Sequence, residues 1–143
     1  MEEEKPLEEW IDLYNRKNPW DVFERDDRYA LLYRPDKGFC EVLLTPEVVG
    51  IGQVCGDGTF WKNSIDEVAR RLGIGHGFTF DIRGRILAYM RLFHAKVTAK
   101  EQAEDGLFRY HAIDKATGKA VLASPAWKYN DCGVVAYRVT WEI

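Results

Sequence analysis

The residues best suited to chemistry in this 143-residue chain lie in a glycine-rich stretch near its middle, 50–73, which reads GIGQVCGDGTFWKNSIDEVARRLG. The pattern predicts the end of a β-strand, a tight turn around Gly56 and Gly58, and the start of an amphipathic helix. Such a junction directs free backbone N–H groups toward one point, which the positive end of the helix dipole also faces. The sequence therefore predicts a site that favours an anion such as a phosphate group.

The helix after the turn must position that site. Asp57 or Thr59 is suited to cap its N-terminus, and Gly73 stands where a left-handed C-cap residue is expected. Residue spacing predicts one apolar face and one solvated face. The predicted apolar face comprises Trp61, Ile65, Val68, Ala69 and Leu72, and the solvated face comprises Lys62, Asp66, Glu67 and Arg70.

The residues before this unit predict a helix and three strands. A short amphipathic helix is expected over 6–16, with an apolar stripe of Leu7, Trp10, Ile11 and Tyr14. A hairpin of strands 28–34 and 39–44 follows, joined by a proline–glycine turn. A third strand is expected over 48–54, where Gly50 and Gly52 indicate a bulge or a close backbone approach.

The residues after the unit predict a parallel crossover and a set of closing strands. We expect a strand over 74–81 and a helix over 83–93, with a stripe of Ile86, Tyr89, Met90 and Phe93. A polar loop at 99–105, strands at 107–113 and 119–123, a loop at 124–133 and a strand at 134–142 complete the chain. The fold class is therefore α+β with a mixed, mostly antiparallel sheet.

Composition narrows the class of protein. The chain is 46% hydrophobic, enough for one packed core, and its formal net charge of -3 gives no general attraction to nucleic acid or anionic membranes. No apolar run approaches the roughly 18 residues that a membrane helix needs. The acidic start MEEEKPLEEW lacks the apolar region of a signal peptide, and the three cysteines show no disulfide pattern, so a cytoplasmic protein with no membrane partner is expected.

Cysteine and histidine spacing favours neither a disulfide framework nor a metal site. The three cysteines show no CxxC spacing, and the three histidines form no HxxH or HExxH pair. These residues are Cys40, Cys55 and Cys132, and His76, His94 and His111. No metal is therefore expected, and Cys55 is read as a small buried residue because no basic group beside it would activate its thiol.

Three features together resemble a known superfamily. The segment QVCGDG at 53–58 fits the pattern Gln/Arg-x-x-Gly-x-Gly/Ala before a helix, Ala88 and Tyr89 follow each other in a later helix, and the chain ends in an aromatic, β-branched strand. In these features residues 28–143 resemble the Gcn5-related N-acetyltransferase (GNAT) superfamily. The segments GFCE, GDGTFW, SPAW and VTWEI are also similar to small GNAT-like proteins encoded by tailed phages and prophages.

The resemblance implies a fold, a cofactor and site residues. It implies one GNAT-like domain over 1–143, with helices on both faces of the sheet and a splayed strand before the glycine turn. Its segments would be an N-terminal helical segment at 1–20, antiparallel strands at 28–54, a loop, helix and strand unit at 55–97, and closing strands at 106–143. The implied acetyl-CoA loop comprises Gln53, Val54, Cys55, Gly56, Asp57, Gly58 and Thr59.

The implied reaction is acetyl transfer to a small-molecule or protein amine, with a homodimer left open. By resemblance, Tyr89 would protonate the departing thiolate, and Glu47 or Asp81, each near a strand end, would act as base. The first helix would either pack on the sheet or form the substrate-side wall. His94, at the end of the second helix, is an alternative base, and Trp61 either stacks on a ligand or packs in the core.

Two other functions stay open. Asp57 places a carboxylate where a pyrophosphate would sit, and as a helix cap it would compete for the same N–H groups. The family's usual Gly-Phe is also replaced by Phe93-His94-Ala95, so a catalytically inactive GNAT-fold phage or prophage accessory protein is the second hypothesis. A nucleic-acid-binding accessory is the third, and it depends on basic residues that could meet a phosphate backbone. These are Arg83, Arg85 and Arg91.

Overall fold

The computed structural model describes residues 4–92 and 94–143. Phe93, which the sequence assigns to an apolar stripe and to the departure from Gly-Phe, lies outside the described residues. The three helices are α1 (Leu7–Lys17), α2 (Gly58–Leu72) and α3 (Ile86–Leu92), and a 3₁₀ turn covers Glu104–Gly106. The strands are β1 (Ala30–Arg34), β2 (Gly38–Leu44), β3 (Val48–Gly56), β4 (His76–Asp81), β5 (Ala95–Gln102), β6 (Phe108–Asp114), β7 (Ala120–Lys128) and β8 (Val135–Glu142).

The eight strands form one sheet in the order β1-β2-β3-β4-β8-β7-β6-β5. β3 and β4 pair in parallel, through the crossover helix α2, and the other neighbouring strands pair antiparallel. The predicted α+β class with a mixed, mostly antiparallel sheet is confirmed. Because the last strand lies beside β4, the closing strands extend the sheet away from β3.

The helices cover both faces of the sheet. Consecutive strand residues point to opposite faces, so Phe39 and Cys40 on β2 belong to different clusters. Phe39 packs with Trp10 and Tyr14 of α1. The opposite face carries α2 and α3, whose buried side chains include Trp61, Ile65, Ile86 and Met90. Trp61 is therefore a core residue, and Cys55 is buried as predicted.

The apolar face predicted for α2 is partly wrong. Val68 and Leu72 are exposed, while Lys62 and Asp66, predicted to face solvent, are buried. The buried pair is satisfied, because Lys62 Nζ lies 2.7 Å from Asp66 Oδ2 and Trp141 Nε1 donates to Asp66 Oδ1 at 2.9 Å. The hydrogen bond from Trp141 of β8 therefore allows Asp66 to lie on the buried face of α2. Local periodicity cannot reveal a partner so distant in the sequence.

Two predicted loops belong to strands. Residues 99–102 continue β5, whose exposed edge position leaves polar residues on both faces and removes the apolar alternation. Residues 124–128 continue β7 despite Pro125. The proline is tolerated because β6 pairs with β7 only as far as Ala123, and the pairing of β7 with β8 shifts register between Pro125 and Trp127.

The ends of α2 follow the prediction from sequence. Asp57 Oδ1 accepts a hydrogen bond from the Phe60 amide at 3.0 Å, so Asp57 is the N-cap. Gly73 is the C-cap with φ 75°, a left-handed conformation that glycine adopts without steric cost. In the described part of the chain, none of the helices is both long and apolar enough to span a membrane.

Candidate functional site

The two parallel strands separate soon after they begin. Val48, Val49 and Gly50 of β3 pair with residues 76–78 of β4, and the pairing stops there although both strands continue. A Cβ atom at position 50 would overlap the Phe78 ring, so glycine is required for the close approach at this last pair. One residue later, Thr79 Oγ1 donates to the Ile51 carbonyl at 3.1 Å. Where the strands separate, this hydrogen bond from the Thr79 side chain takes the place of backbone pairing between β3 and β4.

A bulge accompanies this separation. β2 and β3 change register between Cys40 and Val42, which pair with Val54 and Ile51. β3 therefore carries an extra residue at Gly52 and Gln53, opposite Glu41. The bulge that glycines at 50 and 52 indicated is present, and it increases the local twist of β3 as that strand leaves β4.

A cleft of about 380 Å³ lies between the separated strand ends. One wall comprises residues 52–56 of β3 and Gly58 at the start of α2. The other wall comprises the end of β4 with Phe80, Asp81, Ile82 and Arg83, together with Tyr89 and Trp127. The end of α1 and the residues after it close the cleft through Tyr14, Lys17, Asn18 and Asp21. The cleft is thus built from four separate parts of the sequence.

The glycine turn forms one end of the cleft. Gly56 has φ 108°, and a Cβ atom there would overlap the Lys37 carbonyl, so only glycine fits the turn. Gly58 begins α2, and a Cβ at that position would meet no atom within 4 Å. The Asp57 amide donates to the Lys37 carbonyl at 3.0 Å, so the donors beside open space are the first amides of α2, which have no partner inside the helix. This geometry suits an anion.

Asp57 changes the electrostatics of that turn. Its Oδ1 takes the Phe60 amide, and its Oδ2 lies 3.5 Å from Lys37 Nζ. One donor of the first helical turn is therefore occupied by the protein's own carboxylate, while a lysine offsets the charge. Trp61 is buried and donates its indole N–H to the Lys37 carbonyl at 3.0 Å. It therefore packs in the core and does not line the cleft.

Tyr89 lies where the strands part. Its hydroxyl oxygen is 3.4 Å from Thr79 Oγ1, and the ring packs against the main core. Burial raises the pKa of Tyr89 to about 12, and the contact with Thr79 opposes part of that rise. The phenol is therefore protonated at neutral pH and can act as a proton donor within the cleft.

Asp81 is the buried carboxylate of the cleft. The residue is 2% exposed at the end of β4. Its two oxygens accept the amides of Arg83 and Arg85 at 3.1 and 3.0 Å, which fixes the entry to α3. Burial raises the pKa of Asp81, and these two amide bonds act in the opposite direction. Such a carboxylate is a better proton acceptor than an exposed one.

The segment between α1 and β1 joins the two walls. The Gln53 side chain accepts the Glu24 amide and donates to the Val22 carbonyl, both at 2.9 Å. The Trp20 indole N–H donates to the Ile82 carbonyl at 2.9 Å. Residues 20–24 therefore connect β3 to the end of β4. The side chain of Gln53 is committed to this connection.

The remaining predicted residues lie apart from the cleft or at its border. Glu47 is exposed in the turn before β3, at the end of the strand away from the cleft. Asp57 and Thr59 belong to the glycine turn but do not line the cleft, and neither does His94. Arg83 lines the cleft, whereas Arg85 and Arg91 are exposed around α3. The structure brings Tyr89 together with Gln53, Val54, Cys55, Gly56 and Gly58.

Several residues of the site carry no signal in the sequence. Thr79, Asn18, Asp21 and Trp127 acquire their roles because strands that are distant in sequence meet at the cleft. Burial also raises the pKa of Cys55, so this cleft thiol is not an activated nucleophile.

Comparisons with protein-family models, curated proteins and solved structures give no match for this chain. Among residues 4–92 and 94–143, no group of three or more His, Cys, Asp or Glu side chains is arranged to hold a metal ion.

Proposed function

We propose that this protein is an acyl-CoA-dependent N-acetyltransferase with a GNAT-like fold. The observation that carries the proposal is the separation of parallel strands β3 and β4 beyond Gly50 and Phe78, which opens a cleft ending at a glycine turn. A binding cleft where parallel strands part, beside the N-terminus of the crossover helix, suits a ligand with a phosphate group.

The residues present fit acetyl-CoA in most respects. The turn at Gly56 and Gly58 borders open space at the start of α2 and would hold the diphosphate. The edge of β3 along 52–55 is not paired with β4 and could accept the amide groups of the pantetheine arm. When bound, acetyl-CoA supplies an acyl group activated as a thioester.

Two cleft side chains are suited to the proton transfers. Asp81 is suited to accept a proton from the amine, a role for which the exposed Glu47 lies on the wrong end of β3. The Tyr89 hydroxyl is suited to protonate the thiol sulfur that leaves. In the overall exchange a C–N bond replaces the C–S bond, the amine loses one proton and the thiol gains one.

One observation favours the alternative of a catalytically inactive GNAT-fold accessory protein. The hydrogen bond from the Phe60 amide to Asp57 occupies a donor that a diphosphate would otherwise use. In this alternative the charge of Asp57 repels the phosphates. The fold then keeps its cleft but does not bind the cofactor. The two proposals therefore differ in whether acetyl-CoA binds.

Calorimetric titration with acetyl-CoA and a thiol-release assay with a panel of amines separate the proposals. The transferase proposal predicts 1:1 binding, amine-dependent release of CoA and loss of that release in Asp81→Asn. An exposed aspartate outside the cleft, Asp27, gives the matched control Asp27→Asn, which should behave as the parent. Absence of binding by the parent together with binding by Asp57→Asn would favour the inactive accessory protein. Absence of binding by both would refute a CoA site.

A further inference from the structure

We propose that Thr79 is a positioning residue for Tyr89: its hydroxyl group holds the phenol where β3 and β4 separate, and it donates a hydrogen bond to the phenolate that proton transfer leaves. The inference rests on the proposed function, in which Tyr89 protonates the departing thiolate. Three observations carry it: the place of Thr79 in the sheet, the hydrogen-bonding capacity of its hydroxyl group, and the distance between the two hydroxyl oxygens.

Thr79 occupies the first position of β4 after the pairing with β3 ends. The last parallel pair joins Gly50 to Phe78, and Thr79 is the next residue. Its side chain is fully buried, and it points to the face of the sheet that carries α2 and α3, because its cross-strand partner Val139 belongs to the core on that face. Thr79 does not line the cleft, so its effect on the reaction passes through Tyr89.

The hydrogen-bonding capacity of Thr79 decides the direction of its two contacts. Its Oγ1 lies 3.1 Å from the Ile51 carbonyl oxygen and 3.4 Å from the Tyr89 hydroxyl oxygen. A carbonyl can only accept, and a threonine hydroxyl group has a single hydrogen to donate. The Thr79 hydrogen therefore goes to Ile51, and Tyr89 is the donor in the contact between the two hydroxyl groups.

The distance between the hydroxyl groups leaves the phenol proton easy to redirect. Strongly bonded hydroxyl pairs lie at about 2.7–2.8 Å, so the contact of 3.4 Å is weak, and the proton loses little when it moves to the thiolate sulfur. After that transfer the Tyr89 oxygen is negatively charged and accepts hydrogen bonds. The Thr79 hydrogen then rotates from Ile51 to this oxygen without a change of side-chain rotamer, and a bond to a charged acceptor is the stronger of the two.

The surroundings of Tyr89 make such a donor important. Burial raises the pKa of Tyr89 to about 12, the hydrogen bond with Thr79 lowers it, and the charges of Asp81 on β4 and Cys40 on β2 raise it. Burial and both neighbouring charges therefore oppose the phenolate, whereas Thr79 favours it. Without the Thr79 hydroxyl group, loss of the phenol proton would leave a charged oxygen with less compensation.

The test places 3-fluorotyrosine at position 89 and follows its ¹⁹F resonance with pH, in the absence of acetyl-CoA and amine. The fluorine brings the ionisation of the phenol toward the pH range in which the protein is folded. We expect Thr79→Val, which keeps the shape of the side chain, to lower the ionisation constant of this phenol by about tenfold or more, because a hydrogen bond to a charged group is lost. Thr79→Ser restores the hydroxyl group and should stay within about threefold of the parent.

A threonine on the neighbouring strand supplies the matched control. Thr140 of β8 pairs with Phe78, so its side chain points to the opposite face of the sheet from that of Thr79. Thr140→Val should leave the ionisation of the phenol unchanged. An unchanged ionisation constant in Thr79→Val, or equal shifts in Thr79→Val and Thr79→Ser, would overturn the inference. Should amide spectra show that Thr79→Val is unfolded, Thr79→Ala takes its place under the same criteria.

Steady-state kinetics give a second readout and separate this inference from the proposed function. Thr79→Val should lower kcat about tenfold with little change in KM, and Thr79→Ser should recover most of that loss. A shifted ionisation constant in Thr79→Val without thiol release by the parent would refute the transferase and retain Thr79 as the group that stabilises the phenolate. Thiol release by the parent with no shift in Thr79→Val would refute this inference alone.

Discussion

The two junctions at which a parallel strand leads into a helix use the same residue type in different surroundings. β3 leads into α2 through Asp57, whose side chain is 41% exposed and lies near Lys37. β4 leads toward α3 through Asp81, which is 2% exposed and accepts two backbone amides. Both aspartates order the start of a helix. Burial raises the pKa of Asp81, so only that carboxylate combines a structural role with suitability as a base.

The two aspartates have the same residue type and the same place before a helix, so their environments alone separate a helix cap from a candidate base. Asp57 occupies one amide donor at the turn where an anion is expected, so its charge would oppose the ligand. Asp81 faces the cleft beside Tyr89 and would act on the acceptor. Removing the charge of Asp57 and of Asp81 in separate variants therefore tests the roles proposed for the two residues.

The largest effect is expected from Asp81→Asn. This change removes the proposed base, and we expect kcat to fall by about 10³-fold, within the usual contribution of a general base. In the parent, activity should fall as pH falls through the pKa of Asp81, because the carboxylate must be unprotonated to accept a proton. Thiol release measured between pH 4 and 9 checks this dependence. A variant with parent-like kcat and the same acidic limb would exclude Asp81 as the base.

A smaller loss is expected from Tyr89→Phe, which keeps the ring and removes the proposed acid. We expect kcat to fall by about 10²-fold with little change in KM. Because the pKa of Tyr89 is raised to about 12, its ionisation should not reduce parent activity below pH 10. Steady-state kinetics on the purified variant give both parameters. A change confined to KM would indicate a packing role.

The opposite sign is expected for Asp57→Asn at the other junction. Removing the carboxylate charge should tighten acetyl-CoA binding about three- to tenfold, most clearly at low salt where charge repulsion is least screened. Asparagine is also a good helix cap, so the helix start should be preserved. Calorimetry at low and moderate salt checks the prediction. Weaker binding by this variant would show that Asp57 assists the ligand.

The smallest effect is a change in alkaline stability. The unfolded phenol ionises near pH 10, whereas the folded Tyr89 ionises near pH 12 because it is buried. The stability it contributes is therefore fully present below pH 10 and is lost as pH rises toward 12. Urea unfolding of the parent and of Tyr89→Phe between pH 8 and 11.5 should show a steeper decline for the parent. Parallel declines would contradict the burial of the phenol.

Local patterns in the sequence account for much of the fold. The helix α1, the hairpin of β1 and β2, the caps of α2 and the crossover from β3 to β4 follow from apolar spacing and turn residues. Patterns failed where the environment is set at long range. The edge strand β5 lacks alternation, and the buried pair Lys62 and Asp66 depends on Trp141 of β8.

The candidate site was predictable only in part for the same reason. The glycine turn is a local feature, because Gly56 needs a conformation and a close backbone contact that other residues do not allow. The separation of β3 from β4 and the bond from Thr79 to Ile51 depend on strand pairing. Asn18 and Trp127 are far apart in the chain and line the same cleft only in the folded protein.

The most direct test of the account is a titration of ¹⁵N-labelled protein with acetyl-CoA, followed at backbone amides. If the cleft binds the cofactor as proposed, we expect saturable shifts at Gly56 and Gly58 and along the ends of β3 and β4, with no shifts on the distant edge strand β5. A titration to millimolar acetyl-CoA that leaves Gly56 and Gly58 unmoved would contradict it.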